Sequence, residues 1–216
     1  MRLYIKTNKN AYNTLANEYK ARLENKSMYE EPLDSLVGRS VNYAKERFGK
    51  VLALDIGPGR GESVMYMQKE GCTVDALDVA EKILEVVKEV APRTNIIHAD
   101  ILEYKIPKER YALIYCGALI HLFKATDAVK VMETIWDGLK PKGILFINTT
   151  IHDESSEGYY TKSDYKGQIK RYRHKFTEQE FNNLIKKAGF HIIDEIRTNE
   201  EDRNKMWLAY ICEKII

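Results

Sequence analysis

Between residues 51 and 148, short apolar runs and helix-period segments alternate five times. The runs cover 51–56, 73–77, 95–98, 111–115 and 143–148. The first, 51–56, is a short, mostly apolar run, the pattern of a strand covered on both faces. The segments between the runs carry one apolar stripe each. Residues 80–90 place Ile83, Val86, Val87 and Val90 on one side, and 125–139 do the same with Ala128, Val131, Met132, Ile135 and Leu139. Parallel strands need long crossovers, and helices supply them, so this alternation predicts an α/β chain with helices on both faces of a parallel sheet. The last two apolar runs, 190–196 and 205–212, are joined only by the polar stretch TNEEDRN. That is too short for a crossover, so they predict a C-terminal antiparallel hairpin.

The flanks complete a single domain. Residues 1–48 predict a helical cap. Tyr12, Leu15, Ala16, Tyr19 and Leu23 form one stripe, Pro32 interrupts it, and Leu36, Val37, Ser40, Val41, Ala44 and Phe48 form another. Residues 49–149 are the ligand-binding core. Residues 150–176 are polar without a clear period and read as an insertion that covers a substrate. Residues 177–216 hold a helix, opened by a Thr177/Glu180 capping box and closed by Gly189, and the hairpin. A chain of 216 residues, 44% hydrophobic, can bury one sizeable core. With 34 basic and 32 acidic residues, its charge gives no global pull toward nucleic acid or membrane. No apolar run is long enough to span a bilayer, and the first residues show no secretory h-region. Cys72, Cys116 and Cys212 form no metal-ligand or CxxC pattern and read as reduced, buried thiols of a cytoplasmic protein.

An open α/β sheet binds its ligand beyond the carboxyl ends of its strands, so the residues at those ends carry the functional information. The first run ends in LDIGPGRGES, with Gly57, Gly59 and Gly61. Without Cβ atoms such a loop lets a ligand touch the backbone, and the helix after it offers free N–H donors. A dinucleotide fingerprint, G-x-G-x-x-G, needs its third glycine at position 62, where Glu62 stands, which counts against NAD. Asp78, at the tip of the second strand, is placed to accept hydrogen bonds from both hydroxyls of a ribose. Asp100, after the third, suits an exocyclic amine, while Val79 and Ile101 suit the two faces of a purine. Each feature alone also has a plain structural reading: a turn, a helix cap, a loop aspartate beside a core isoleucine. Their order along the chain favours a nucleoside.

The series LDIGPGRGES, VDALDVA, IIHADILEY, YALIYCGALIHLF and LKPKGILFINT resembles the ordered motifs of class I S-adenosylmethionine-dependent methyltransferases. The likeness covers about residues 48–149, and HKFTEQEFNNLIKKAGFHIIDE is similar to the last helix and strand of members acting on small molecules. It implies a Rossmann-like, seven-stranded, mostly parallel sheet and S-adenosylmethionine as cofactor, with S-adenosylhomocysteine as product. By that resemblance Asp55 and the glycine loop shape the methionine portion, Asp78 holds the ribose, and Asp100 and Ile101 meet the adenine. Cys116 and Gly117 then lie beside the sulfonium, and His121 follows them. Lys142 departs from the family, standing where a Pro-Gly-Gly turn commonly has its first glycine.

Methyl transfer from a sulfonium needs geometry first and a base only if the acceptor is protonated. His121 and His152 are the candidate bases, and no metal-ligand spacing is present. Tyr12 and Tyr19 share a helix face and can close over a cation, though core packing explains them nearly as well. In the insertion, Tyr160, Arg171 and Arg173 suit a flat or anionic acceptor, and the same residues suit stacked bases and phosphates. The expected function is methyl transfer to an O, N or C nucleophile of a small molecule. The alternatives are a tRNA or rRNA methyltransferase and a cofactor-binding protein without catalysis.

Overall fold

The five runs become strands of one sheet, 95–98 at its edge and the other four inside it. A computed structural model describes residues 1–24, 35–161, 169–200 and 205–215. In chain order the strands are β1 (Leu52–Ile56), β2 (Thr73–Asp78), β3 (Asn95–His98), β4 (Tyr111–Cys116), β5 (Leu139–Ile151), β6 (Ser156–Thr161), β7 (Lys170–Lys175), β8 (Phe190–Glu200) and β9 (Lys205–Lys214). The helices are α1 (Leu3–Glu24), α2 (Leu36–Phe48), α3 (Glu62–Lys69), α4 (Glu81–Val90), α5 (Ala125–Gly138) and α6 (Glu178–Lys187). Seven strands pair in the order β3-β2-β1-β4-β5-β9-β8. The first five are parallel, and β9 runs antiparallel to both β5 and β8, as the short polar connection predicts.

Both faces of the sheet are covered. On one, Val131, Met132 and Ile135 of α5 and Phe181 and Ile185 of α6 pack on Leu54, Ile114 and Leu145. On the other, Val37 and Val41 of α2, Met67 of α3 and Val87 of α4 pack on Ala53, Val74, Leu113 and Phe146. Each large side chain buried this way contributes about 1.5–3 kcal/mol, so the sheet's centre is the rigid part of the molecule.

Helix α1 lies across the carboxyl end of this frame and is tied down along its length. Near its start, the Tyr4 hydroxyl donates to Asp127 of α5 at 2.7 Å. In its middle, the Asn8 side chain accepts from the Tyr172 N–H at 2.8 Å and donates to the Tyr172 and Leu122 carbonyls at 3.3 and 3.2 Å. Farther on, Ala16 packs with Ala80, Ile83 and Val86 at α4, and the Lys82 N–H donates to the Asn13 side chain at 3.0 Å.

The insertion at 150–176 departs from the expected irregular loop. Its described part is an antiparallel two-stranded sheet, β6 with β7. Its buried positions are Arg171, Tyr172 and His174 rather than aliphatic residues, so no apolar alternation marks it as strand. Strand β5 is also longer than its apolar run. It begins at Leu139 and carries Lys142 at φ 62°, a left-handed conformation that costs a side-chain-bearing residue about 1–2 kcal/mol. Pro32 lies outside the described residues. No helix among the described residues is long and apolar enough to cross a membrane.

Candidate active site

The chain leaves β1 toward α3 on one side of the sheet and β4 toward α5 on the other. These neighbouring strands therefore open a crevice at their carboxyl ends. Gly57 and Gly59 line it, with φ of 73° and 54°. The Gly57 N–H is already used, donating to the Leu77 carbonyl of β2 at 2.8 Å. A Cβ on Gly59 would make ordinary van der Waals contact with the Tyr19 ring, 3.6 Å away. Gly61 does a different job from the expected one. At φ 84°, its missing Cβ would meet Val90 Cγ2 at 2.9 Å, so it lets α3 start against α4 and does not line the crevice. Asp55 also stays behind the loop. It is 1% exposed, accepts a hydrogen bond from the Ser63 hydroxyl, and burial pushes its carboxyl up to about 7.

The crevice consists of two adjoining cavities. Tyr12, Tyr19, Gly59, Asp78 and Gly117 line the first, about 160 Å³, against roughly 10–15 Å³ for one water. Asp78, Val79, Asp100 and Ile101 line the second, about 40 Å³. Gly57, Asp78 and Val79 belong to both. The Asp78 carboxylate accepts from the Ala80 N–H at 2.7 Å, and burial pushes its pKa up to about 6. Asp100 is 7% exposed; Oδ1 accepts from the Leu102 N–H at 3.0 Å, while Oδ2 is buried with no hydrogen-bond partner among the described residues. A buried acceptor left unpaired costs about 1–3 kcal/mol, which a donor reaching Oδ2 would offset. The unpaired oxygen, a second, half-buried carboxylate and an open backbone cradle fit a nucleoside with an amino group at one end and hydroxyls at its middle.

The remaining predicted residues spread around this crevice. Gly117 lines it, but Cys116 is wholly buried, and burial pushes its thiol far up, so it packs and does not react. His121 is 2% exposed, with Nδ1 3.4 Å from the Thr149 hydroxyl and its ring edge-on to Trp207; it lines neither cavity. His152 Nε2 lies 3.1 Å from the Thr150 hydroxyl, outside both cavities. Burial, with Arg173 and Lys175 nearby, holds its pKa below the usual imidazole value. Tyr160 does not reach the crevice. Lys175 Nζ sits over its ring at 4.6 Å and its hydroxyl donates to Ser156. Arg171, 8% exposed, donates to the Tyr12 hydroxyl at 2.5 Å, and Arg173 donates to the Thr150 hydroxyl.

Asn8 lines the first cavity and escaped the sequence reading. Its signal was its position: four residues before Tyr12, on the same helical stripe, a polar side chain where the stripe should be buried.

A family described as "Methyltransferase domain" matches residues 53–143. The phosphoethanolamine N-methyltransferase of Plasmodium falciparum is 33% identical over 99 residues, 44% of this chain and 37% of that protein. A carboxy-S-adenosyl-L-methionine synthase of Vibrio atlanticus is 28% identical over 131 residues, 54% of this chain and 53% of that protein. The chain thus spans between about a third and about half of these relatives' lengths. Among solved structures, 1,6-didemethyltoxoflavin-N1-methyltransferase of Burkholderia thailandensis, with 1,6-didemethyltoxoflavin and S-adenosylhomocysteine bound, superposes with a TM-score of 0.73 at 17% identity. The match covers 99% of this chain and 89% of that one.

Proposed function

Because residues 53–143 form a class I S-adenosylmethionine-dependent methyltransferase domain, we propose that the chain transfers a methyl group from that cofactor to a nucleophile on a small molecule. The observation that carries the reading is the meeting of Gly59, Asp78 and Asp100, from three strand ends, around one crevice. Asp78 would accept from the ribose hydroxyls and Asp100 Oδ2 from the adenine amine. Val79 and Ile101 would cover the purine. Gly57, Gly59 and Gly117 would leave room for the methionine portion.

When bound, the cofactor supplies an electrophilic methyl group on a positively charged sulfur. Tyr12 and Tyr19 wall the first cavity with their rings 6.0 Å apart. Their faces favour a cation and exclude water. A fixed wall of this kind serves alignment, which is worth on the order of 7–11 kcal/mol in well-oriented reactions. His121 and His152 lie at the end of β5 but line neither cavity, so either would act as proton acceptor only for a nucleophile that reaches the end of that strand. Replacing each by alanine and measuring kcat against pH separates them: the base is the one whose loss removes the acid limb.

Two observations favour a small acceptor over RNA. Arg171 and Arg173 turn inward, onto Tyr12 and Thr150, instead of outward toward a phosphate backbone. The relatives named above for a methyl acceptor are named for small ones. The direct test is thermal stabilisation by S-adenosylhomocysteine against NAD. A ligand at 100 times its Kd adds about 2.7 kcal/mol to folding stability. A shift with NAD and none with S-adenosylhomocysteine overturns the reading.

A further inference from the structure

Among the described residues, three other than glycine hold a left-handed backbone: Glu109, Ala118 and Lys142, at φ 50°, 53° and 62°. Glu109 precedes β4 and Lys142 lies near the start of β5, at the end of the sheet opposite the crevice. Ala118 follows the carboxyl end of β4 and lines the first cavity. Unlike asparagine or aspartate, alanine has no polar side chain with which to support this conformation locally. Such strain persists only where the surroundings over-determine it, and it clusters at ligand sites.

Asn148 supplies the support. Its Oδ1 accepts from the Ala118 N–H at 2.6 Å. Cys116, the last residue of β4, lies level with Ile147 of β5, so Asn148 stands one step farther on, beside the turn. Asn148 is itself held in the ladder, opposite Ala209 of β9, and it lines neither cavity. A left-handed backbone costs alanine about as much as one neutral hydrogen bond contributes, so losing that bond removes what holds the turn.

The turn in its place decides where the next residues go. The Leu119 side chain lies against Gly57, where a Cβ would meet its Cδ1 at 2.9 Å. Leu119 and Gly57 each line both cavities, so their contact is a shared wall. The Leu119 carbonyl then accepts from the Leu122 N–H at 2.8 Å, closing the short turn that brings Leu122 to the first cavity.

We propose that Asn148 is a positioning residue for the cofactor: by holding Ala118 left-handed, it seats Leu119 on Gly57 and sets the shape of both cavities. This rests on the methyl-transfer reading above. Asn148 acts through the Ala118 backbone and not by touching the ligand.

The test titrates S-adenosylhomocysteine calorimetrically into wild type and variants. Asn148→Ala should lose at least tenfold in affinity. Asn148→Asp keeps an acceptor oxygen and should stay within threefold of wild type. Glycine needs no support at φ 53°, so Asn148→Ala introduced into Ala118→Gly should change affinity less than threefold. A general structural role for Asn148 would cost the same in both backgrounds. Hydrogen exchange followed by NMR reads the turn without ligand. The Ala118 amide should exchange at least tenfold faster in Asn148→Ala than in wild type, and at the wild-type rate in Asn148→Asp. Wild-type affinity in Asn148→Ala, an equal loss in both Ala118 backgrounds, an equal loss in Asn148→Asp, or unchanged Ala118 exchange overturns the proposal. Wild-type protein that binds no S-adenosylhomocysteine refutes the methyl-transfer reading, and the cofactor role of Asn148 falls with it. The exchange rates separate that outcome from a failure of the turn itself.

Discussion

Gly59 and Gly61 lie two residues apart in one loop, both in left-handed conformations, and alanine at each should fail differently. The shared cost is conformational, about 1–2 kcal/mol for a Cβ in that region. At Gly61 a steric cost is added. The new Cβ meets Val90 Cγ2 at 2.9 Å and lies 3.7 Å from the α4 backbone at Val87. Valine in a helix has one favoured rotamer, so Val90 cannot swing aside, and overpacking of this kind costs about 1–3 kcal/mol. Gly61→Ala should therefore lose about 2–5 kcal/mol and Gly59→Ala only about 1–2. In a chain of this size 1 kcal/mol moves Tm by about 2–4 °C, so differential scanning calorimetry separates the two variants. The binding effects run the other way. The Gly59 methyl enters the cavity beside Tyr19, so Gly59→Ala should lose most S-adenosylhomocysteine affinity, while folded Gly61→Ala keeps it. Equal Tm losses, or lost binding in folded Gly61→Ala alongside normal binding in Gly59→Ala, would refute the division of labour.

Burial raises the Asp78 pKa from its ordinary 3.8 to about 6, so its penalty on folding is absent below pH 4 and complete above pH 6. Asp78→Asn should accordingly stabilise the ligand-free protein at pH 8 by up to about 3 kcal/mol, and not at pH 4, while abolishing stabilisation by S-adenosylhomocysteine; thermal melts with and without ligand check both. In wild type the ligand's Kd should rise about tenfold per pH unit below 6, because the ribose hydroxyls need the ionised carboxylate, and calorimetry across pH 5–8 would show it. Lys142→Gly relieves the left-handed lysine and should add about 0.5–1 kcal/mol in urea unfolding without touching ligand binding. Asn8→Ala strips partners from the Tyr172 N–H and two carbonyls and should cost about 2–4 kcal/mol by the same measurement.

The sheet was legible because its central strands, at 51–56, 111–115 and 143–148, are written in mostly apolar runs. The β6–β7 hairpin was not, because its inward positions are Arg171, Tyr172 and His174, which composition alone assigns to the surface. The crevice was legible for a related reason. Strand ends in an open α/β sheet have a known destination, so Asp78 and Asp100 could be placed by counting. What counting cannot reveal is direction. The motif shows that Gly57, Gly59 and Gly61 lack a Cβ, not that the third gap faces α4. Likewise Cys116 ends β4 and His121 follows it as expected, yet both turn into packed surroundings instead of the cavity.

Helix α1 is made well before the segments that house it. Its bonds to Asp127 and Tyr172 join residues 123 and 164 positions apart. At a synthesis rate of about 5–20 residues per second, the first helix leaves the ribosome roughly 8–30 s before Tyr172 exists to receive Asn8. Through that interval its buried stripe, Ile5, Ala11 and Leu15 among it, has no permanent seat. The segment that finishes the ligand chamber thus waits for a strand made much later, and the chamber cannot close until β7 has been made.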